Sequence, residues 1–100
     1  MDLSQKHREL IVATITSVLG QTDIFLFGSF ARCKARSDSD VDIAIRTGTE
    51  IPFEKMMRLK HLFAESDLPF FVDLVDLNAI DESFRSSIQD DFVELARRVD

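Results

Sequence analysis

Two short apolar runs, Ile24 to Phe27 and Val41 to Ile45, bracket a polar stretch that opens with Gly28-Ser29 and closes with Asp40-Val41-Asp42; ten residues separate Ser29 from Asp40. No other feature constrains the fold as much, because it sets a strand, a tight turn and a second strand in immediate succession. Side chains alternate along a strand, so Asp40 and Asp42 share one face while Val41, Ile43 and Ile45 share the other. Two carboxylates on one sheet face repel, and keeping them there costs stability unless a cation compensates. Hard oxygen ligands on rigid backbone suit Mg²⁺ taken up together with substrate phosphates.

The Gly-Ser end is complementary. A glycine at a strand end lets the backbone turn sharply and leaves room for a bulky anion close to main-chain N–H groups. The residues after Ser29, Phe30 to Ala35, permit a short helix whose free N–H groups face the same anion. Arg32, Lys34 and Arg36 then stand beside Ser37, Asp38 and Ser39. They serve either as a solvated, ion-paired loop or as contacts to a triphosphate or a partner. A phosphate role is favoured for Arg36 or Lys34, with the choice between them open. Asp38 shares the parity of Asp40 but lies among turn residues and is not expected to bind metal.

The rest of the chain supplies a scaffold. Apolar residues at Leu3, Leu10, Ile11, Ile15, Val18 and Leu19 predict an amphipathic helix ending near Gly20. Thr47 to Glu50 reads as a turn, and Pro52 opens a second helix whose apolar face comprises Phe53, Met56, Met57, Leu59, Leu62 and Phe63, reaching about Ser66. Asp67-Leu68-Pro69 breaks that helix, and Phe70 to Leu77 is the third strand. Ile80, Phe84 and Ile88 predict a third helix from near Asp81, after which Phe92 to Ala96 reads equally as a short strand or a continued helix. This order predicts an α+β domain spanning 1–100: a small mixed sheet with helices packed on one face and the carboxylate face open.

The third strand carries two aspartates of opposite parity, Asp73 and Asp76. Only one of them can face the same side as Asp42. Asp73 lies mid-strand, where an unpaired carboxylate needs a reason, whereas Asp76 lies near the strand end within reach of water. Asp73 is therefore the preferred third acidic residue and Asp76 the reserve.

Composition narrows the function classes. With 45% hydrophobic and 30% charged residues the chain reads as an ordinary globular protein. A net charge of −6 without any basic run is a poor match for a nucleic-acid backbone, so direct nucleic-acid binding is not expected. Cys33 is the single cysteine, which rules out an internal disulfide and suits a reducing, cytoplasmic setting. Its neighbours Arg32 and Lys34 could lower its pKa, but nothing in the motif calls for a thiolate. His7 and His61 are too far apart in sequence for a zinc pattern. The polar start has no signal-peptide core, and no stretch is long and apolar enough for a membrane span.

Taken together, Gly28-Ser29, the ten-residue interval, Asp40-x-Asp42 and the acidic strand Asp67 to Leu77 resemble the DNA polymerase β-like nucleotidyltransferases in their short form, the minimal nucleotidyltransferases. Arg32, Arg36 and Ser39 are also similar to that group. The resemblance implies metal-assisted nucleotidyl transfer, in which an acceptor hydroxyl attacks the α-phosphate of ATP and pyrophosphate leaves. It implies two Mg²⁺ ions on Asp40, Asp42 and Asp73, nucleotide contacts from Gly28, Ser29, Lys34, Arg36 and Ser39, and proton acceptance by Asp73. It further implies an antitoxin that transfers AMP to a tyrosine of a HEPN-domain ribonuclease toxin and forms a hetero-oligomer with it. The chain contains no tyrosine and so cannot modify itself at that residue type. Two other readings are an antitoxin acting by binding alone, through exposed Phe53, Phe70 or Phe84, and transfer to the hydroxyl of a small molecule.

Overall fold

The computed structural model describes residues 2–99; Met1 and Asp100 lie outside the described residues. Helix α1 spans Gln5–Leu19. Ser4 caps it, its hydroxyl accepting from the His7 N–H at 3.1 Å, and Gly20 ends it at φ 76°, a left-handed conformation suited to glycine. Ile11 and Ile15 anchor the helix in the core, while Leu10, expected in the stripe, lies at the surface and Val12 packs instead.

Strand β1 (Asp23–Phe27) runs into a one-turn helix α2 (Gly28–Ala31), and a loop leads to β2 (Val41–Arg46). Helix α3 (Phe53–Ala64) follows Pro52 and connects to β3 (Val72–Asp76). Helix α4 (Glu82–Ile88), capped by the Asp81 carboxylate at the Phe84 N–H, continues into a 3₁₀ turn and strand β4 (Val93–Ala96). The open question over residues 92–96 resolves as strand because β1 offers them an antiparallel partner, with Leu26 opposite Val93 and Ile24 opposite Ala96.

The sheet is mixed, in the order β3-β2-β1-β4. β1 pairs antiparallel with β2 and β4, and β2 pairs parallel with β3 through the α3 crossover. On one face, Ile24, Leu26, Val41, Ile43 and Ile45 form the main core with α1 and α3, joined by fully buried Leu59. Full burial of each such side chain contributes roughly 2 kcal/mol. The other face carries Phe25, Phe27, Ala44 and Val75, and α4 with the 3₁₀ turn covers this half through Ile88 and Phe92. The Asp42 end of that face keeps its polar character. Phe53 begins α3 at 78% exposure, so the broad apolar face expected of this helix narrows to Met56, Leu59 and Phe63.

Candidate active site

The sheet register builds the site. In the antiparallel pair Phe27 stands opposite Asp42, and in the parallel pair Asp42 stands opposite Asp73. Paired residues share a face, so Phe27, Asp42 and Asp73 form a row across three adjacent strands. Asp40, one residue before β2, carries the same parity as Asp42 and adds its charge to the row.

Gly28 closes one end of that row. Its φ is +75°, and a Cβ added there would collide with Asp42 Oδ2 and lie 3.1 Å from Asp42 Cγ. Both the backbone conformation and the close approach therefore exclude a side chain. The turn beyond is fastened by its own backbone: the Arg32 N–H donates to Gly28 O at 3.1 Å and the Lys34 N–H to Ser29 O at 2.8 Å. Phe30 is buried and meets Phe70 edge-on at 4.9 Å between centroids, which pins the turn to the segment leading into β3. Ser39 closes the loop reciprocally, its hydroxyl accepting from the Arg36 N–H at 2.8 Å and its own N–H donating to Arg36 O at 3.0 Å.

Electrostatics single out Asp42. Burial, then the charges of Asp73 and Asp40, hold its carboxyl above the usual carboxylate range, and the Arg32 guanidinium partly offsets them. Arg32 also pairs with Asp91, at 3.3 Å, beyond the end of α4. Arg32, Lys34 and Arg36 are all exposed; the one whose charge reaches Asp42 is Arg32. The signal available was its position four residues after Gly28, one helical turn on.

The two β3 aspartates have opposite environments, and the solvation argument that ranked them fails. Asp76, expected near water, is 8% exposed and accepts from the Ile51 N–H at 2.7 Å and the Asn78 N–H at 2.9 Å. Asp73, expected to be costly mid-strand, is the exposed one. What brings Asp73 beside Asp42 is the parallel register, and Asp76 points to the core face to hold the approach to α3. Cys33 also departs from expectation: hydrogen bonding with Asp2 and its negative charge push the thiol up, not down. His7 packs edge-on against Phe70 at 5.4 Å.

Mg²⁺ fits this donor set. Asp42 carries an uncompensated electrostatic cost that a cation would relieve, and the donors are hard oxygens. Among the described residues no three or more His, Cys, Asp or Glu side chains come together as a group that could hold a metal ion by itself. That suits an ion held by one or two carboxylates and completed by substrate phosphates and water. Two clefts, between α1 and β4 and between α3 and the loop before β3, have other linings; Asp40 and Asp73 are exposed and Asp42 is half-buried.

Residues 13–98 match the family described as Polymerase beta, Nucleotidyltransferase. The chain belongs to the polymerase β nucleotidyltransferase family. A family member from Haemophilus influenzae, a probable protein adenylyltransferase MntA, is 31% identical over 98 residues, covering 98% of this chain and 86% of the relative. This nucleotidyltransferase fold also matches an MntA–HpeT toxin–antitoxin crystal structure with TM-score 0.76, 23% identity, and coverage of 90% of this chain and 72% of that one. A tri-AMPylated Shewanella oneidensis HEPN toxin in complex with MNT antitoxin matches with TM-score 0.63, 24% identity and coverage of 90% and 72%. A toxin–antitoxin structure with AMP-PNP matches at TM-score 0.74 and 23% identity, covering 90% of this chain and 73% of that one. At these identities the structures speak to the fold, and the expected mixed sheet of the polymerase β type is the one observed.

Proposed function

We propose that this chain is a single nucleotidyltransferase domain that transfers AMP from ATP to a tyrosine hydroxyl of a HEPN-domain ribonuclease partner and thereby neutralises it. The observation that carries the reading is Asp42 beside Asp73 on one sheet face, with Gly28 held against Asp42 and Asp40 at the edge. The relative named as a protein adenylyltransferase, and the HEPN toxin bearing AMP in a complex of this fold, support it.

In this assignment Asp40, Asp42 and Asp73 hold two Mg²⁺ ions. Bound there, Mg²⁺ supplies polarisation of the α-phosphate and neutralisation of the departing pyrophosphate. Gly28 and Ser29 receive the β- and γ-phosphates at the start of α2, with Arg32, Lys34 or Arg36 adding positive charge. Ser39 positions Arg36 by fixing the loop backbone. Asp73, the solvent-facing carboxylate, accepts the proton of the attacking hydroxyl. The protein acts in the cytoplasm, where Cys33 stays reduced, and contacts no nucleic acid itself.

Exposed Phe53 and Phe84 favour a second reading, inhibition by complex formation alone. One experiment separates the two. The protein is incubated with ATP, Mg²⁺ and the product of the neighbouring reading frame, and the intact mass of both proteins is measured beside an Asp40→Ala, Asp42→Ala control. A metal-dependent gain of AMP on the partner, absent from the control, is expected. Stable co-purification with no gain in mass supports binding alone.

A further inference from the structure

Phe71 stands 84% exposed immediately before β3, an unusual place for a large apolar ring. It is fastened to the sheet, since the Val41 N–H donates to its carbonyl at 2.9 Å. Phe71 lies two residues before Asp73 and so shares its face on the extended chain. Its strand is the open edge of the sheet, farthest from β4 and separated from Gly28 by β2. The ring also lines the rim of an apolar cleft of about 360 Å³ formed with Phe63, Leu68, Pro69 and Phe70. The nucleotide-transfer scheme does not use it.

We propose that Phe71 is the platform on which the acceptor's aromatic ring lies while its hydroxyl is presented to Asp73. The inference rests on the adenylyltransferase reading above. In-line displacement places the attacking oxygen and the leaving pyrophosphate on opposite sides of the α-phosphorus. With the β- and γ-phosphates at Gly28 and Ser29, the attacker enters from the far end of the row, which is β3 and Phe71. Two residues of strand span about 7 Å, and a ring stacked on Phe71 with its hydroxyl directed along the strand points that hydroxyl toward Asp73. Aromatic pairing supplies the affinity. The cleft that Phe71 borders with α3 takes apolar neighbours of that tyrosine, so the occupant is a protein segment. The nucleoside, attached to the α-phosphorus through its 5′-oxygen at an equatorial position, lies off this axis.

The test is steady-state AMP transfer to the partner by the unsubstituted protein, Phe71→Ala and Phe71→Trp, varying partner and ATP separately. For Phe71→Ala, kcat/KM toward the partner is expected to fall about tenfold with the KM for ATP within about twofold, and Phe71→Trp is expected to restore it. Exposure of the ring makes a folding defect unexpected, and circular dichroism checks this. A rise in the KM for ATP with the partner dependence unchanged places the nucleobase on Phe71 and overturns the assignment. Unaltered transfer by Phe71→Ala overturns it as well, leaving the adenylyltransferase reading intact. Absence of transfer by the unsubstituted protein defeats that reading, and the Phe71 assignment with it.

Discussion

Asp23 and Asp42 share a sheet face on neighbouring strands, two register pairs on either side of the Phe25–Ala44 pair, yet their surroundings shift them in opposite directions. The Arg98 backbone N–H donates to Asp23 at 2.7 Å and the Arg46 guanidinium to it at 3.0 Å, and its carboxyl is held below the usual range despite some burial. Asp42 is pushed above that range by burial and by Asp73 and Asp40. One end of the face is a satisfied ion pair, with Arg46 also lying over the Phe25 ring at 5.2 Å. The other end concentrates like charge. A carboxylate that stabilises its own fold is given donors; one reserved for a ligand is left without them.

The sharpest way to break this contrast is to neutralise the two carboxylates in turn. Asp42→Asn is expected to lower AMP transfer by about 10³-fold, the scale for loss of a metal-ion or electrostatic contact to the transition state, while thermal stability holds or rises. Transfer kinetics beside a melting curve check both halves. Gly28→Ala sharpens the contrast from the backbone side. The new methyl displaces the Asp42 carboxylate, with transfer expected to fall about 10²-fold through misplacement. The left-handed φ adds a stability loss of about 1–2 kcal/mol, measured by urea unfolding.

Asp76→Ala extends the comparison to the opposite face. It leaves the buried Ile51 N–H without its acceptor, and a loss of about 2–3 kcal/mol in urea unfolding is expected. Asp23→Asn weakens an ion pair at the sheet end and is expected to cost about 1 kcal/mol, with transfer per folded molecule unchanged.

The smallest expected effect is in the pH dependence of stability of the metal-free protein. Asp23 has a depressed folded pKa, so its contribution is present above its ordinary value of 3.8 and lost as pH falls through the folded value. Asp42 has a raised folded pKa, so the folded state takes up its proton more readily and stability falls as pH rises through that value. Denaturation midpoints against pH should therefore show the acid-side loss shrink in Asp23→Asn, and the fall with rising pH shrink in Asp42→Asn.

Much of this arrangement is legible in the chain alone. The apolar runs Ile24 to Phe27 and Val41 to Ile45 give both strands, Asp81 marks a helix start, and the Gly28-Ser29 to Asp40-x-Asp42 interval marks the site. These signals are local: each depends on residues a few positions apart, whose geometry the backbone fixes without reference to the rest of the molecule. Only the tertiary structure sets Asp73 and not Asp76 beside Asp42, because parity becomes a face only once β3 is registered against β2, some thirty residues away. The same holds for β4, whose four residues become a strand when β1 offers an edge, and for Arg32, which pairs with Asp91 while its charge reaches Asp42. Burial followed the same rule, reversing the order that solvation alone assigned to the β3 aspartates: the periodicity of a strand is written in its sequence, but the neighbour that covers or exposes each face is supplied by a distant segment.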